Sequence, residues 1–308
     1  MDFGPYLVFA SIEGAVAAAV LALTAVGLSL VFGVMRVVNV AHGEFFMLGA
    51  VIAYWVASQV AGHPAFGFVA ALIVAPIVAG TIAAFADFTV LKRVNYDPER
   101  TIVATIGILY ILQQTVLMTY GADARPVEAP FNQRIALPWF EWGEDGFQTI
   151  WPWGFGTTTY KLFVIAAAAV ILTGFWLLMS RTKLGLVMRA TQLDRETALA
   201  FGIPVDRVYA IVFGIGAGLA AMSAVLLVPI QQAHYLMGGD PLLLSFIVVI
   251  IGGLGSIPGT VFAAILIGMS DGIISIFFDP TLAKIIATLA VALVLVFRPQ
   301  GLFGKKAQ

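Results

Sequence analysis

Cysteine is missing from all 308 positions, which removes disulfide bridges, thiolate nucleophiles and sulfur-ligated metal centres from consideration. Charge is nearly as scarce. Asp, Glu, Lys and Arg together make up 11% of the chain, where an ordinary soluble domain carries about a quarter. The net charge of −1 includes no basic block of the kind that holds nucleic acid, so no nucleic-acid partner is expected. His42, His63 and His234 share no metal-ligand spacing, and neither a Ser–His–acid set nor a pair of carboxylates can be assembled. No GxxxxGK[ST] phosphate loop occurs. The chain is therefore expected to be no enzyme, to bind no metal or cofactor, and to hydrolyse no ATP itself. The GIGAG run at 214–218 lies in an apolar stretch with no strand before it and reads as a small-residue helix contact.

What is abundant is hydrophobic surface, at 61% of residues. Apolar runs fall at 14–33, 44–58, 66–90, 101–120, 160–180, 208–229, 242–255, 260–278 and 282–297. Most are long enough to cross a hydrocarbon core about 30 Å thick as helices. They lack the alternation of an outer-membrane barrel. The expected fold is an all-α polytopic transmembrane bundle of about eight or nine segments, one domain over 1–308. Asp2 and Glu13 stand where a signal peptide would carry Lys or Arg, so the first span is expected to be retained.

Charge asymmetry orients the chain. Lys92, Arg93 and Arg100 share one loop, five basic residues fall between Arg181 and Arg207, and Arg298, Lys305 and Lys306 close the sequence. By the positive-inside rule these are cytoplasmic. The acids Asp2, Glu13, Asp123, Glu128, Glu141, Glu144, Asp145, Asp240 and Asp279 then face outward, with the N-terminus outside and the C-terminus inside. The outward interval 121–159 is rich in Pro and Trp (Trp139, Trp142, Trp151, Trp153) and reads either as a docking surface or as a cap anchored at headgroup level.

Within the cytoplasmic interval 181–207, RTKLGLVMRATQLDRETALAFGIPVDR, one short helix is expected. Asp194 caps it, Ala198, Leu199 and Phe201 give it an apolar side, Gly202 ends it and Pro204 forbids continuation. Such a helix is shaped to dock into a partner or to lie on headgroups.

Three breaks interrupt the apolar pattern. Between 31 and 46, VFGVMRVVNVAHGEFF crowds Arg36, Asn39, His42 and Glu44 between two runs, with Glu44 after Gly43 as though capping a new helix. Between 231 and 242, QQAHYLMGGDPL restarts in the same manner at Asp240 and Pro241. The two look like counterparts in an inverted repeat, the device by which transporters assemble a site from discontinuous helices. The third, GGLGSIPG at 252–259, offers Gly252, Gly253 and Gly255 as a re-entrant turn or as close helix packing. Ionisable groups at membrane depth cost about 2.5–3.5 kcal/mol each, which makes Arg36, His42 and Glu44 pathway candidates, with Asp240 at the second break; Asp87 and Asp271 are weighed beside them.

The stretch GLSLVFGVMRVVNVAHGEFFMLGA resembles the N-terminal signature of the branched-chain amino-acid ABC transporter permeases. RATQLDRETALAFGI is similar to that family's coupling segment, and GGDPLLLSFIVVIIGGLGSIPGTVFAAILIG with the closing RPQGLFG is similar to its C-terminal half. The resemblance implies a bacterial inner-membrane permease that pairs with a second, homologous or identical permease, two ABC ATPase subunits that use ATP, and a periplasmic solute-binding protein. It places Asn39, His42, Gly43 and Glu44 on the translocation pathway or its supporting turn. Residues 189–202, with Arg189, Asp194, Arg195, Glu196, Ala198, Ala200 and Gly202, would contact the ATPase. Leucine, isoleucine and valine are the implied solutes. Urea and short-chain amide permeases of the same superfamily share the AHGE-type stretch, and an ion-coupled secondary transporter is the alternative from another class.

Overall fold

The long apolar runs become helices because no other backbone arrangement satisfies its own polar groups away from water. The computed structural model describes residues 3–60, 62–136, 139–143, 146–150, 156–298 and 301–303. Asp2, Glu144, Asp145, Trp151, Trp153, Lys305 and Lys306 lie outside these residues, as do the side chains of Trp139, Glu141 and Trp142.

In chain order the helices are α1 (Phe3–Met35), α2 (His42–Gln59), α3 (Pro64–Thr89), α4 (Pro98–Tyr120), α5 (Thr159–Arg181), α6 (Lys183–Leu193), α7 (Arg195–Ala200), α8 (Val205–Leu227), α9 (Gly239–Gly252), α10 (Ile257–Phe277) and α11 (Pro280–Phe297). A 3₁₀ turn, Leu91–Val94, links α3 to α4. Among the described residues, seven helices are long and apolar enough to cross a membrane: α1, α3, α4, α5, α8, α10 and α11. The chain is thus a multi-pass membrane protein. Two further helices, α2 and α9, are not among these seven. At 14 residues, α9 reaches only about 21 Å.

Starts are marked by proline or a cap. Asp97 accepts the Arg100 amide at the head of α4, Ser256 accepts that of Gly259 before α10, and Asp279 accepts that of Thr281 before α11. Glu44 does not cap α2. It sits inside the first turn, and Ala41 occupies the cap position with no side-chain bond.

Small residues set the packing. The backbone of α1 at Gly14 and Ala18 lies against Gly272 and Gly268 of α10, so the two helices run antiparallel. On the other side, Gly80 of α3 meets Gly214 of α8, and Gly218 meets Pro76. The centre of the bundle is the α1–α8 crossing at Gly27 and Gly216, which makes the GIGAG run a helix contact as expected. The apolar windows of α1 and α8 are 78% and 72% buried, against 11% for the peripheral α11. The succession long helix, break, short helix, two long helices occurs twice, as α1–α4 and as α8–α11. Exchanging the halves maps the α1–α10 contact onto α8–α3.

Three features depart from the sequence reading. The interval 121–159 is not merely loop: Arg134–Ala136 pairs antiparallel with Gly156–Thr158, and Trp139–Gly143 with Gly146–Ile150. The interval 181–207 holds two helices rather than one, because Thr182 caps α6 by accepting the Gly185 amide. The closing segment folds back to cap α9, with the Leu302 and Phe303 amides donating to the carbonyls of Ile251 and Gly252.

A tight backbone contact joins the starts of α2 and α9, where a Cβ on Gly43 would collide with the Gly238 carbonyl and one on Gly238 with that of Gly43. Gly43→Ala or Gly238→Ala should therefore cost about 1–3 kcal/mol by overpacking and lower the thermal midpoint in detergent. Gly174→Ala, whose added Cβ meets nothing within 4 Å, should leave it unchanged.

Candidate functional site

The first break changes depth. Arg36 ends α1 in the left-handed region, φ 56°, and is exposed. Residues 36–41 then run back along the bundle. Asn39, 1% exposed, accepts the Ala41 amide through its side-chain oxygen, and the Val40 amide donates to Thr105 Oγ1 at 3.2 Å. His42 consequently starts α2 beside Thr24, about 16 Å short of the end of α1. Its Nε2 donates to the Thr24 carbonyl at 2.9 Å, while its buried Nδ1 and Glu44 Oε2 have no hydrogen-bond partner among the described residues. Arg36 and Glu44 are therefore not neighbours, and no ion pair joins them among the described residues. Thr24 Oγ1 lies 2.9 Å from Ser223 Oγ, tying the α1–α8 crossing to the same level.

The second break meets the first. Residues 228–238 return from the end of α8 into the bundle, held by backbone bonds in both directions between Arg125 and Ala233 at 2.9 Å. Tyr120 donates to the Ala233 carbonyl, also at 2.9 Å, and the Arg125 guanidinium lies over the Tyr54 and Tyr120 rings. From there α9 begins at the Gly43–Gly238 contact and runs away from α2. Beside this junction a cavity of about 810 Å³ opens between α1, the returning segment, α9, α10 and α11. It reaches Thr24 at its deep end and Glu13 and Pro280 at its rim, on the side of the molecule away from α7.

The structure thus brings Asn39, His42, Gly43, Glu44 and the Asp240 turn to one level, and leaves Arg36 and the third break elsewhere. Gly252 packs against Gly259 at the far end of α9. Gly253 and Gly255 adopt φ of 101° and 78°, and Gly255 abuts Gly33 and accepts from Gln192 Nε2 at 3.3 Å. Close packing is the role this geometry shows.

On the opposite face, α6 and α7 form a short polar platform. Asp194 caps α7 by accepting the amides of Glu196 and Thr197. Gly202, φ 79°, ends it, with the Ile203 amide returning to Ala198 and the Gly202 amide to Leu199. Only Ala198 is turned inward; Leu199 is 49% and Phe201 83% exposed. The Arg195 guanidinium sits over the Tyr96 and Tyr209 rings, and Lys92 pairs with Asp206 at 3.0 Å rather than with Asp87. Buried Asp87 accepts instead from the Tyr96 hydroxyl at 3.4 Å. Arg189 is half-buried on α6, whereas Glu196 and Ala200 are exposed.

Sequence reasoning passed over Lys284, which reaches Asp240 at 2.7 Å, and Lys161, which pairs with Glu13 at the rim. Lys284 stands near the head of an otherwise apolar run, where a lone charge is costly at membrane depth and so singles itself out.

The Thr197 hydroxyl, the Thr197 and Glu196 amides and, more weakly, the Arg36 guanidinium hold the Asp194 carboxyl below the ordinary aspartate value of 3.8. A depressed folded value means the cap is fully formed above 3.8 and lost only as pH falls through the lower one. Hydrogen exchange at the Glu196 and Thr197 amides should accordingly keep its protection down to about pH 4. Asp194→Ala should remove that protection at neutral pH.

The profile of the family described as branched-chain amino acid transport system permease component matches residues 11–297. The chain is 28% identical over 305 residues to the high-affinity branched-chain amino acid transport system permease protein BraD of Pseudomonas aeruginosa, covering 96% of this chain and 94% of that protein. It is 26% identical over 299 residues to the corresponding permease protein LivH of Escherichia coli K12, covering 92% and 91%. LivH of Salmonella typhimurium is likewise 26% identical, over 293 residues. No solved structure matches the chain.

Proposed function

The chain belongs to the family of branched-chain amino acid transport system permease components, and on that premise we propose that it carries leucine, isoleucine and valine across a bacterial inner membrane as the permease of an ATP-driven importer. Two ABC ATPase subunits supply the energy, a second permease completes the membrane part, and a periplasmic binding protein delivers the solute. The N-terminus lies outside and the C-terminus inside.

The observation that carries this reading is the meeting of two interrupted helices at Gly43 and Gly238, beside a cavity that opens away from the polar platform. Backbone is interrupted at that depth only where protein or a water-filled path surrounds it. Asn39, His42, Gly43, Glu44 and Asp240 mark the junction that must rearrange for solute to pass. Gly252, Gly253 and Gly255 lie at the inner end of α9, where a path would have to open on the cytoplasmic side, and Arg36 lies beside the platform. The outward-turned Leu199 and Phe201 give α7 an unsatisfied apolar side suited to a groove in an ATPase subunit. Arg189, Asp194, Arg195, Glu196, Ala198, Ala200 and Gly202 shape that helix and its surroundings. Arg195 clasps Tyr96 and Tyr209, so a push on α7 is passed both to the turn before α4 and to the first turns of α8.

Reconstituted with its partners and ATP, the transporter should accumulate labelled leucine, isoleucine and valine and leave urea and acetamide outside. Preferential uptake of urea or acetamide would reassign the solute. Glu196→Arg, or replacement of residues 195–200 by Gly and Ser, should abolish most uptake per ATP hydrolysed while membrane insertion persists. Normal uptake with normal ATPase association would remove the coupling role.

A further inference from the structure

The cavity beside the junction has two chemically distinct walls. Val16, Val20 and Leu21 of α1 and Ile267 of α10 form an apolar side. In the same cavity Lys284 from the second turn of α11 pairs with Asp240 from the first turn of α9 at 2.7 Å, and Asp271 of α10 also lines the space. The side chains of Lys284 and Asp240 remain 53% and 67% exposed. Both side chains line the cavity, and charges left that open beside apolar helices favour an aqueous space over a hydrocarbon one. An ion pair so exposed adds little to stability, which leaves its placement unexplained by folding alone.

We infer that this cavity is a binding station for an aliphatic α-amino acid as its zwitterion. The Lys284 ammonium takes the α-carboxylate, Asp240 and Asp271 take the α-ammonium, and the Val16, Val20, Leu21 and Ile267 wall takes the side chain. In the empty cavity Lys284 and Asp240 satisfy one another. When a zwitterion enters, the Lys284–Asp240 pair is exchanged for two, Lys284 with the α-carboxylate and Asp240 with the α-ammonium, while Asp271 adds a further acceptor for the ammonium. A volume of about 810 Å³ leaves room for a small amino acid together with water. The inference rests on the permease reading above and adds to it the residues that would hold the solute inside the membrane.

The natural absence of cysteine permits a direct test. Ser275→Cys places a single thiol on the cavity wall, and a membrane-impermeant methanethiosulfonate reports its accessibility in the reconstituted transporter. Ile276→Cys serves as a second position if the first variant does not assemble. Leucine at about ten times its dissociation constant should slow modification ~tenfold. Leucinamide, which lacks the carboxylate, and 4-methylpentanoate, which lacks the ammonium, should not. Lys284→Gln in the same background should abolish protection by leucine, and Lys284→Arg should preserve it. Unchanged modification in a preparation that takes up leucine overturns the station while leaving the permease reading intact. Protection by leucinamide equal to that by leucine overturns the role of Lys284. A preparation in which even the parent chain fails to take up leucine counts against the permease reading itself.

Discussion

Hydrocarbon offers no partner to a backbone amide or carbonyl, so a helix that starts or stops inside a membrane must be surrounded by protein. Here α2 and α9 start there, and each provides part of the other's surroundings: the backbones at Gly43 and Gly238 touch with no room for a side chain. Several features of the interior converge on that contact. The segment 36–41 returns along the bundle to reach it, the segment 228–238 is strapped by Arg125, Tyr120 and Ala233, and the α1–α8 crossing brings Thr24 and Ser223 to its level.

From this arrangement comes a division of labour between the two faces. One side of the junction holds an open cavity lined by both charge and hydrocarbon, and the other holds packed glycines at the α9–α10 turn, capped by the chain's closing residues. The platform of α6 and α7 touches the closed side, through Gln192 and Gly255. The platform thus meets α1 at Gly33, the α9–α10 turn at Gly255, and α8 through Arg195 over Tyr209. Glycine suits such contacts because backbone-to-backbone surfaces can separate and re-form without side chains to repack.

Much of this was legible beforehand, and for simple reasons. The nine apolar runs read as membrane segments are all helical in the structure, seven of them long and apolar enough to cross, since long charge-free stretches have few alternatives in a bilayer. Polar clusters at 36–44 and 231–242 stood out because each charge there is expensive, and their likeness pointed to a repeated plan. What stayed hidden is what composition does not record. The six residues 36–41 carry the chain from the end of α1 back to the level of Thr24, a reversal of course that hydropathy does not record. Lys284 was averaged away in an apolar run until its partner on α9 appeared beside it. Helix α6 is half polar and short, and only the Thr182 cap announces it. The pairing of Arg134–Ala136 with Gly156–Thr158 joins segments too far apart for any local turn signal.

On the proposed function, this chain does no energetic work and is opened from the cytoplasmic side by a separate motor. That claim is tested most directly by measuring labelled leucine in sealed vesicles that contain this chain and its partner permease, with an imposed ion gradient, first without and then with ATPase subunits and ATP. Accumulation only in the second condition is the predicted result. Accumulation against a gradient in the first would contradict it.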